Sequence, residues 1–378
     1  MTLSLLTLDT PAALIDETRT MRNIQLMQDR MDALGVRLRP HVKTSKSEPV
    51  IRRQMDAGAQ GVTVSTLQEA EACFAMGITD VLYAVAIAPA RLEQVSALRR
   101  QGCRLSILTD SLAGAQAIVA AGQRYDEAFD VWLEIDCDGH RAGLQPADSK
   151  LLQVAEVLQT GGMRLVGVLT HAGSSYELND PAALQALAEQ ERALCVAAAE
   201  RLRAQGFACP QVSIGSTPTA LSALDLAGVT EVRAGVYVFQ DLVMHNVGIC
   251  QAEDLALSVL TTVIGHQPEK GWVLVDAGWM ALSRDRGTQR QQRDFGYGQV
   301  CTLDGSWLDG ALLSGANQEH GMISFAEGAP ADLEERFPVG SRLRILPNHA
   351  CATGAQFERY HAVDAKGAIT VWSRLHGR

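Results

Sequence analysis

The chain has 378 residues, 47% of them hydrophobic and 20% charged, which is the composition of an ordinary globular protein. Its formal net charge of −10 argues against a nucleic-acid partner, because such surfaces depend on clustered lysine and arginine. The N-terminal residues have neither a basic start nor a long apolar core, so we expect no secretion signal, no spanning helix and no membrane partner. Eight cysteines without a CxxC pair indicate reduced thiols and a cytoplasmic location.

Between residues 37 and 238, short runs rich in valine, isoleucine and leucine alternate with segments of helical periodicity. Continuous apolar runs are typical of strands buried on both faces, and strand–helix alternation predicts a parallel sheet. Eight such units favour a (β/α)8 barrel over an open doubly wound sheet, since no GxGxxG follows an early strand. The runs are VRLRPHVK, GVTVST, VLYAVAI, RLSILTD, FDVWLEID, RLVGVLTH, QVSIGS and EVRAGVYVF.

The pattern changes after about residue 250, where apolar and polar residues alternate between glycines and prolines. Segments such as GWVLVDAGW and SRLRILPNHACAT predict strands rather than helices. We therefore expect a barrel over residues 9–250 and a smaller β-rich domain over residues 251–378. Residues 1–8 are assigned to the second domain as a candidate strand.

Polar and glycine-rich segments lie where the predicted barrel strands end. The chemistry of a parallel barrel is located at these carboxyl ends, on the loops that lead into the helices. This position makes ordinary-looking turns candidates for a functional site. The segments are Lys43 after the first run, DCDGHRAG (136–143) after the fifth, HAGSSY (171–176) after the sixth, GSTPT (215–219) after the seventh and RAGVY (233–237) in the eighth.

The last two of these segments predict a phosphate site. Barrels frequently bind phosphate with the loops after strands seven and eight. Gly215, Ser216 and Thr217 would supply backbone N–H groups and hydroxyls in one loop, and Gly235 and Val236 backbone N–H groups in the other.

Lys43, in the context RPHVKTSK, falls at the mouth of the same predicted barrel. A lysine there can form a Schiff base with an aldehyde if desolvation and nearby cations lower its pKa. A lysine opposite a phosphate site favours pyridoxal phosphate, but a Schiff-base aldolase for a phosphosugar fits these features equally well.

The segments DTPAALID, GVRLRPHVKTSK, DGHRAG, HAGSSY, GSTPT, RAGVYVF and PNHAC resemble the alanine-racemase-like class of pyridoxal-phosphate enzymes. Within that class the chain is similar to the D-threonine aldolases, D-serine dehydratases and D-threo-3-hydroxyaspartate dehydratases, essentially from end to end. The resemblance implies a lyase for β-hydroxy-D-amino acids. It also implies a homodimer in which the β-rich domain of one subunit covers the barrel mouth of the other.

The resemblance assigns roles to particular residues. Lys43 corresponds to the lysine that carries the cofactor as a Schiff base, and Arg141 to the arginine near its phenolic oxygen. Tyr176 corresponds to a tyrosine beside the pyridine ring. Arg233 falls where the racemases place an arginine on the ring nitrogen, so Arg233 and Tyr176 are both candidates for that partner. The phosphate loops of the class correspond to Gly215, Ser216, Thr217, Gly235 and Val236.

His349 and Cys351 correspond to the two protein ligands of a divalent metal in this branch. Two ligands at i and i+2 of an extended segment would point the same way. Imidazole and thiolate suit zinc, with manganese, cobalt or magnesium as alternatives. Because the aldolases tend to have aspartate at the second position and the dehydratases cysteine, Cys351 favours dehydration to an oxo acid and ammonia.

Three alternatives remain beside a dehydratase. An aldolase would cleave Cα–Cβ to give glycine and an aldehyde, but Ser174 and Ser175 stand near the position where aldolases carry a histidine. A racemase would have no use for the metal pair, and a non-catalytic pyridoxal-phosphate carrier would have no use for the second domain. We assign no catalytic role to four other polar residues of these motifs, namely His140, His171, Asp276 and His320.

Overall fold

A computed structural model describes residues 3–375 of the protein. Strands and helices alternate through the first two thirds of the chain: β1 (Ala12–Asp16), α1 (Glu17–Ala33), β2 (Arg37–Leu38), α2 (Glu48–Asp56), β3 (Val62–Val64), α3 (Leu67–Ala75), β4 (Asp80–Ala86), α4 (Leu92–Arg100), β5 (Arg104–Thr109), α5 (Leu112–Tyr125), β6 (Asp130–Ile135), α6 (Ser149–Thr160), β7 (Arg164–Thr170), α7 (Pro181–Ala204), β8 (Gln211–Ile214), α8 (Thr217–Ser222) and β9 (Glu231–Val232). Strands dominate the rest: α9 (Leu242–Val247), β10 (Leu257–Gln267), β11 (Trp272–Val275), α10 (Trp279–Leu282), β12 (Gly298–Cys301), β13 (Trp307–Ala316), β14 (Gly321–Phe325), α11 (Leu333–Arg336), β15 (Arg342–Pro347), α12 (Ala350–Gly354), β16 (Arg359–Val363) and β17 (Ile369–Ser373).

Strands β2 to β9 form a parallel sheet, which has eight strands in the described part of the chain. Strands β3 to β9 are neighbours in chain order, and β2 pairs with β9. A parallel bridge between His41 and Thr63 then joins the segment after β2 to β3 and closes the sheet. The predicted (β/α)8 barrel is confirmed.

The local sequence explains most of these elements. Strand β6 reads DVWLEI and is buried along almost its whole length, as expected for a strand covered on both faces. Helix α7 begins where the Asp180 side chain accepts the backbone N–H of Ala183, with Pro181 in the first turn. Helix α5 begins at Ser111, whose side chain accepts the backbone N–H of Gly114.

The first and eighth barrel strands are shorter than the sequence pattern predicts. Regular pairing covers only Arg37–Leu38 and Glu231–Val232, and residues 236–238 form a 3₁₀ turn. The apolar content of the sequence did not indicate where these strands end, because the chain stays buried after it leaves the sheet. Val236, Tyr237 and Val238 are buried although they are not in a strand.

The β-rich region forms a second sheet, with nine strands among residues 3–375. Six of them, in the order β10-β11-β14-β13-β12-β15, make a closed antiparallel ring because β10 pairs with both β11 and β15. Strand β1 adds to the outside of β10, and β16 and β17 follow it. The predicted β-rich second domain is confirmed.

The chain separates into two compact units. The first comprises Gln25–Gly235 with Leu375, and the second comprises residues 3–24 together with Val236–Arg374. This division differs from the predicted one at residues 9–250 and 251–378. Residues 3–8 contain no strand, so the predicted strand there is wrong, although these residues do group with the β-rich unit, whose N-terminal strand is β1. The reason is packing: Ala12 and Leu14 join Leu8 and Leu260 in one apolar cluster. Within the described residues no helix is long and apolar enough to cross a membrane.

Candidate active site

Lys43 lies in the turn between β2 and α2, where the chain leaves the barrel. Its side chain is exposed, whereas the flanking Val42 and Thr44 are buried. The nearby Lys46 is paired with Glu69, with 2.8 Å between Nζ and Oε1. Lys43 forms no such pair with a carboxylate among residues 3–375, so its amine is available for a covalent bond.

Two imidazoles, His41 and His171, are close enough to Lys43 for its charge to lower their pKa values. Burial lowers the pKa of His41 well below its ordinary value, and the charges of Lys43 and Arg233 lower it further. Burial and Lys43 also lower the pKa of His171 to about 3, although a hydrogen bond to the Gly215 carbonyl opposes the shift. Both rings are therefore neutral at pH 7.

Arg233 is held inside the barrel by polar groups of the neighbouring strands. Its Nε donates to Ser213 Oγ over 2.8 Å, and its guanidinium also donates to the carbonyl of Thr170. Ser213 in turn donates to Oε1 of the fully buried Glu231, again over 2.8 Å. Burial lowers the pKa of Arg233, while Glu231, Glu191 and Glu134 raise it. These partners fix the orientation of the guanidinium.

Arg141 and Tyr176 lie on the loops after β6 and β7. Arg141 is 59% exposed and donates to Oε1 of the buried Glu134 over 3.1 Å. The Tyr176 ring lies 6.0 Å from the His171 ring, measured between centroids. The charges of Arg141 and Arg233 both act on His171. The fold thus gathers Lys43, Arg141, Tyr176 and Arg233 at one end of the barrel.

A hydroxyl contact joins one loop of the predicted phosphate site, the loop after β8, to the loop after β7. Ser216 caps α8, since its Oγ accepts the N–H of Thr219 over 3.2 Å. The same oxygen lies 2.8 Å from Ser175 Oγ in the loop after β7. Gly215 has φ +121°, and a Cβ there would lie 2.9 Å from the Val232 side chain, so the turn requires glycine.

Gly235 brings the loop after β9 against the segment that carries Lys43. A Cβ on Gly235 would lie 3.1 Å from the His41 carbonyl oxygen and 3.3 Å from Thr44 Oγ1. Val236 follows directly and starts the 3₁₀ turn. Lysine, neutral imidazoles and a glycine-rich hydroxyl loop therefore meet at one barrel mouth, a donor set that fits pyridoxal phosphate.

Sequence reasoning missed Glu191, a carboxylate on α7 that is fully buried. Its Oε1 accepts the backbone N–H of Ala172 over 2.9 Å and that of Gly215 over 3.1 Å. Burial raises the pKa of Glu191, and these hydrogen bonds oppose the shift. The sequence did carry a signal. Glu191 interrupts the apolar stripe of α7, whose buried members include Leu184, Ala188, Glu191, Cys195 and Ala198.

His349 and Cys351 lie at the start of α12 in the second unit. His349 is the extended residue before the helix, but Cys351 is already helical, so the prediction that both lie in an extended segment is wrong. The two side chains nevertheless meet, since Cys351 hydrogen-bonds the His349 ring. Cys351 is the one cysteine that is not fully buried, and all eight lie within the described residues as free thiols.

Asp285 orients the His349 ring. Its carboxylate lies 2.6 Å from His349 Nδ1, which leaves Nε2 as the nitrogen for a metal. Burial of the ring lowers the pKa of His349, but the Cys351 and Asp285 side chains more than offset this effect and raise the pKa well above its ordinary value. A carboxylate on the far nitrogen is the usual support of a metal-binding histidine, and imidazole with thiolate is a donor pair that zinc accepts. The donor set therefore fits a divalent metal.

Buried hydrogen bonds hold this segment in place. Asp241, at the start of α9, accepts the N–H of Ala350 over 2.9 Å. Asn348 accepts from Thr288 Oγ1 and donates to the carbonyl of Gly296. No group of three or more His, Cys, Asp or Glu side chains in residues 3–375 is arranged to hold a metal, so His349 and Cys351 would act as a two-residue site.

Comparisons with known proteins agree with this architecture. Residues 15–242 match the family model of the alanine racemase N-terminal domain, and residues 256–363 match that of a putative serine dehydratase domain. The chain is 66% identical to the D-threo-3-hydroxyaspartate dehydratase of Delftia sp. (strain HT23), over 99% of each chain. It is 31% identical to the D-serine dehydratase of Dictyostelium discoideum, over 96% of this chain and 95% of that one.

A solved structure of a D-threo-3-hydroxyaspartate dehydratase, a cysteine-to-alanine variant in the metal-free form, superposes with a TM-score of 0.98. It is 66% identical to this chain, and the match covers 100% of both chains.

Proposed function

Because the chain belongs to the alanine-racemase-like pyridoxal-phosphate enzymes, in the branch of the D-serine and D-threo-3-hydroxyaspartate dehydratases, we propose that it removes water from a β-hydroxy-D-amino acid. Loss of water leaves an enamine, and its hydrolysis gives an oxo acid and ammonia. D-threo-3-hydroxyaspartate is the first candidate substrate, on the 66% identity over nearly the whole length to a dehydratase of that name. The structural observation that carries the proposal is the gathering of Lys43, two neutral imidazoles and Arg233 at one barrel mouth.

When bound, pyridoxal phosphate supplies an electron sink at the substrate's Cα. Lys43 would hold it covalently, and the loops at Ser216 and Gly235 would hold its phosphate. Nζ of Lys43 would also be the base that accepts the proton from the substrate's Cα. His41 and His171 stay neutral, so they add no further positive charge around that amine. Arg233 or Tyr176 would face the ring nitrogen.

His349 and Cys351 would hold a divalent metal, zinc in the first place. When bound, such an ion supplies a Lewis acid that makes the β-hydroxyl a better leaving group. Asp285 keeps the His349 ring in the required orientation from the opposite nitrogen. The metal-free form of a dehydratase variant with 66% identity supports a metal in this reaction.

Retro-aldol cleavage is the second candidate reaction. It would need a base for the β-hydroxyl proton. Ser174 and Ser175 stand near the predicted position of that base, but both are already committed: Ser174 donates to Asp138, and Ser175 donates to the carbonyl of Ala172. Neither hydroxyl is a base at neutral pH, so dehydration is favoured.

The products decide between the two reactions. The purified protein with pyridoxal phosphate and zinc should release ammonia and an oxo acid from D-threo-3-hydroxyaspartate, faster than from D-serine or D-threonine. Ammonia and glycine should be assayed in the same reaction. Glycine with an aldehyde as the main product would show an aldolase, and inversion without ammonia a racemase.

We also propose a homodimer, because the class it resembles covers the barrel mouth of one subunit with the β-rich domain of the other. Sedimentation under assay conditions should show a dimer or a larger species that retains full activity. Turnover should fall on dilution below the dissociation constant. A monomer with full activity at nanomolar concentration would contradict the proposal.

A further inference from the structure

Hydrogen bonds to one buried carboxylate link the loops after β7 and β8. Glu191 extends from α7 to two backbone N–H groups, those of Ala172 and Gly215. Ala172 comes two residues after the end of β7, and Gly215 directly after β8. Both amides have left the strand ladder. A buried amide without a partner destabilises the fold, so each needs an acceptor at this position.

The loop after β8 belongs to the predicted phosphate site, and a hydroxyl contact joins it to the loop after β7. Ser175 and Ser216 lie 2.8 Å apart between their Oγ atoms. Ser175 lies three residues after Ala172 and donates to its carbonyl, while Ser216 comes directly after Gly215. The Glu191 bonds therefore set the spacing of the two loops just before the serines that bridge them.

We propose that Glu191 is a positioning residue that holds the loop after β8 against the loop after β7, in the position needed to bind the phosphate of pyridoxal phosphate. The inference rests on the proposed function and adds a residue that the family motifs do not include. Both hydrogen bonds end on the same atom, Oε1, so the role depends on the reach and acceptor capacity of the side chain. A neutral acceptor of the same length would make the same two bonds.

Two substitutions separate reach from charge. Glu191→Gln keeps the Oε1 acceptor at the same distance and removes the charge, whereas Glu191→Asp keeps the charge and shortens the side chain by one methylene. Glu189→Asp is the matched control, because Glu189 lies on the same helix but is exposed and pairs with Arg192. The measurement is equilibrium binding of pyridoxal phosphate, followed by absorbance, in parallel with pyridoxal, which lacks the phosphate.

We expect Glu191→Asp to weaken pyridoxal phosphate binding about tenfold or more, because both backbone hydrogen bonds lose their acceptor. Pyridoxal binding should change less than about threefold, and Glu191→Gln and Glu189→Asp should bind both probes like the unmodified protein. Equal loss of both probes, or a Gln variant weaker than the Asp variant, would overturn this inference alone. If the unmodified protein takes up no pyridoxal phosphate, the proposed function itself fails.

Discussion

Replacing Lys43 with alanine should remove the yellow colour of the purified protein and lower turnover by about 10²–10⁴-fold, the usual contribution of a general base. The unmodified protein should absorb near the edge of the visible range when it carries pyridoxal phosphate, and borohydride should remove that band. The physical reason is that Lys43 supplies the amine for the covalent link and, in the proposed reaction, the base for the Cα proton.

Lys46→Arg is the matched control for Lys43→Ala. Arginine keeps the positive charge beside Glu69 but has no primary amine for the link. This variant should keep the band and most of the activity. After borohydride reduction of the unmodified protein, mass spectrometry should find the cofactor on Lys43 and not on Lys46. A colourless protein that takes up no pyridoxal phosphate would overturn the functional proposal as a whole.

Removing the metal should stop turnover while the yellow colour remains, because cofactor and metal are assigned to different residues. Cys351→Ala should lower turnover at least about tenfold, which corresponds to about 1.4 kcal/mol in the barrier, and should lower the bound metal. Zinc should restore the chelated protein, and manganese or cobalt are also expected to work because availability influences selectivity. Metal content, absorbance and ammonia release are measured on the same samples.

Cys301→Ala is the control for loss of a thiol, since Cys301 is fully buried in β12 of the same unit. It should leave metal content unchanged. Cys351→Asp should still bind a metal, with a harder preference, and should raise the ratio of glycine to ammonia among the products. Wild-type turnover and metal content in Cys351→Ala would show that Cys351 is an ordinary thiol, and the choice of dehydration would then lose its support from this residue.

Much of the fold could be predicted from the sequence because the signals are local. Apolar runs such as VWLEI in β6 and helix starts such as Asp180-Pro181 have their cause within a few residues. The count of eight units and the change of pattern near residue 250 followed from these signals. The resemblance, in turn, pointed to Lys43, His349 and Cys351 through the motifs RPHVK and PNHAC.

Only the tertiary structure decided which partner each polar side chain has. The tie from Glu191 to Ala172 and Gly215 joins three segments of the chain, and the bond between Asp285 and His349 spans 64 residues. Local patterns carry no information about such contacts, because a buried carboxylate is positioned by where the helices and loops pack. The same applies to Cys351: its sequence spacing predicted a shared direction with His349, but the start of α12 sets the geometry of the pair.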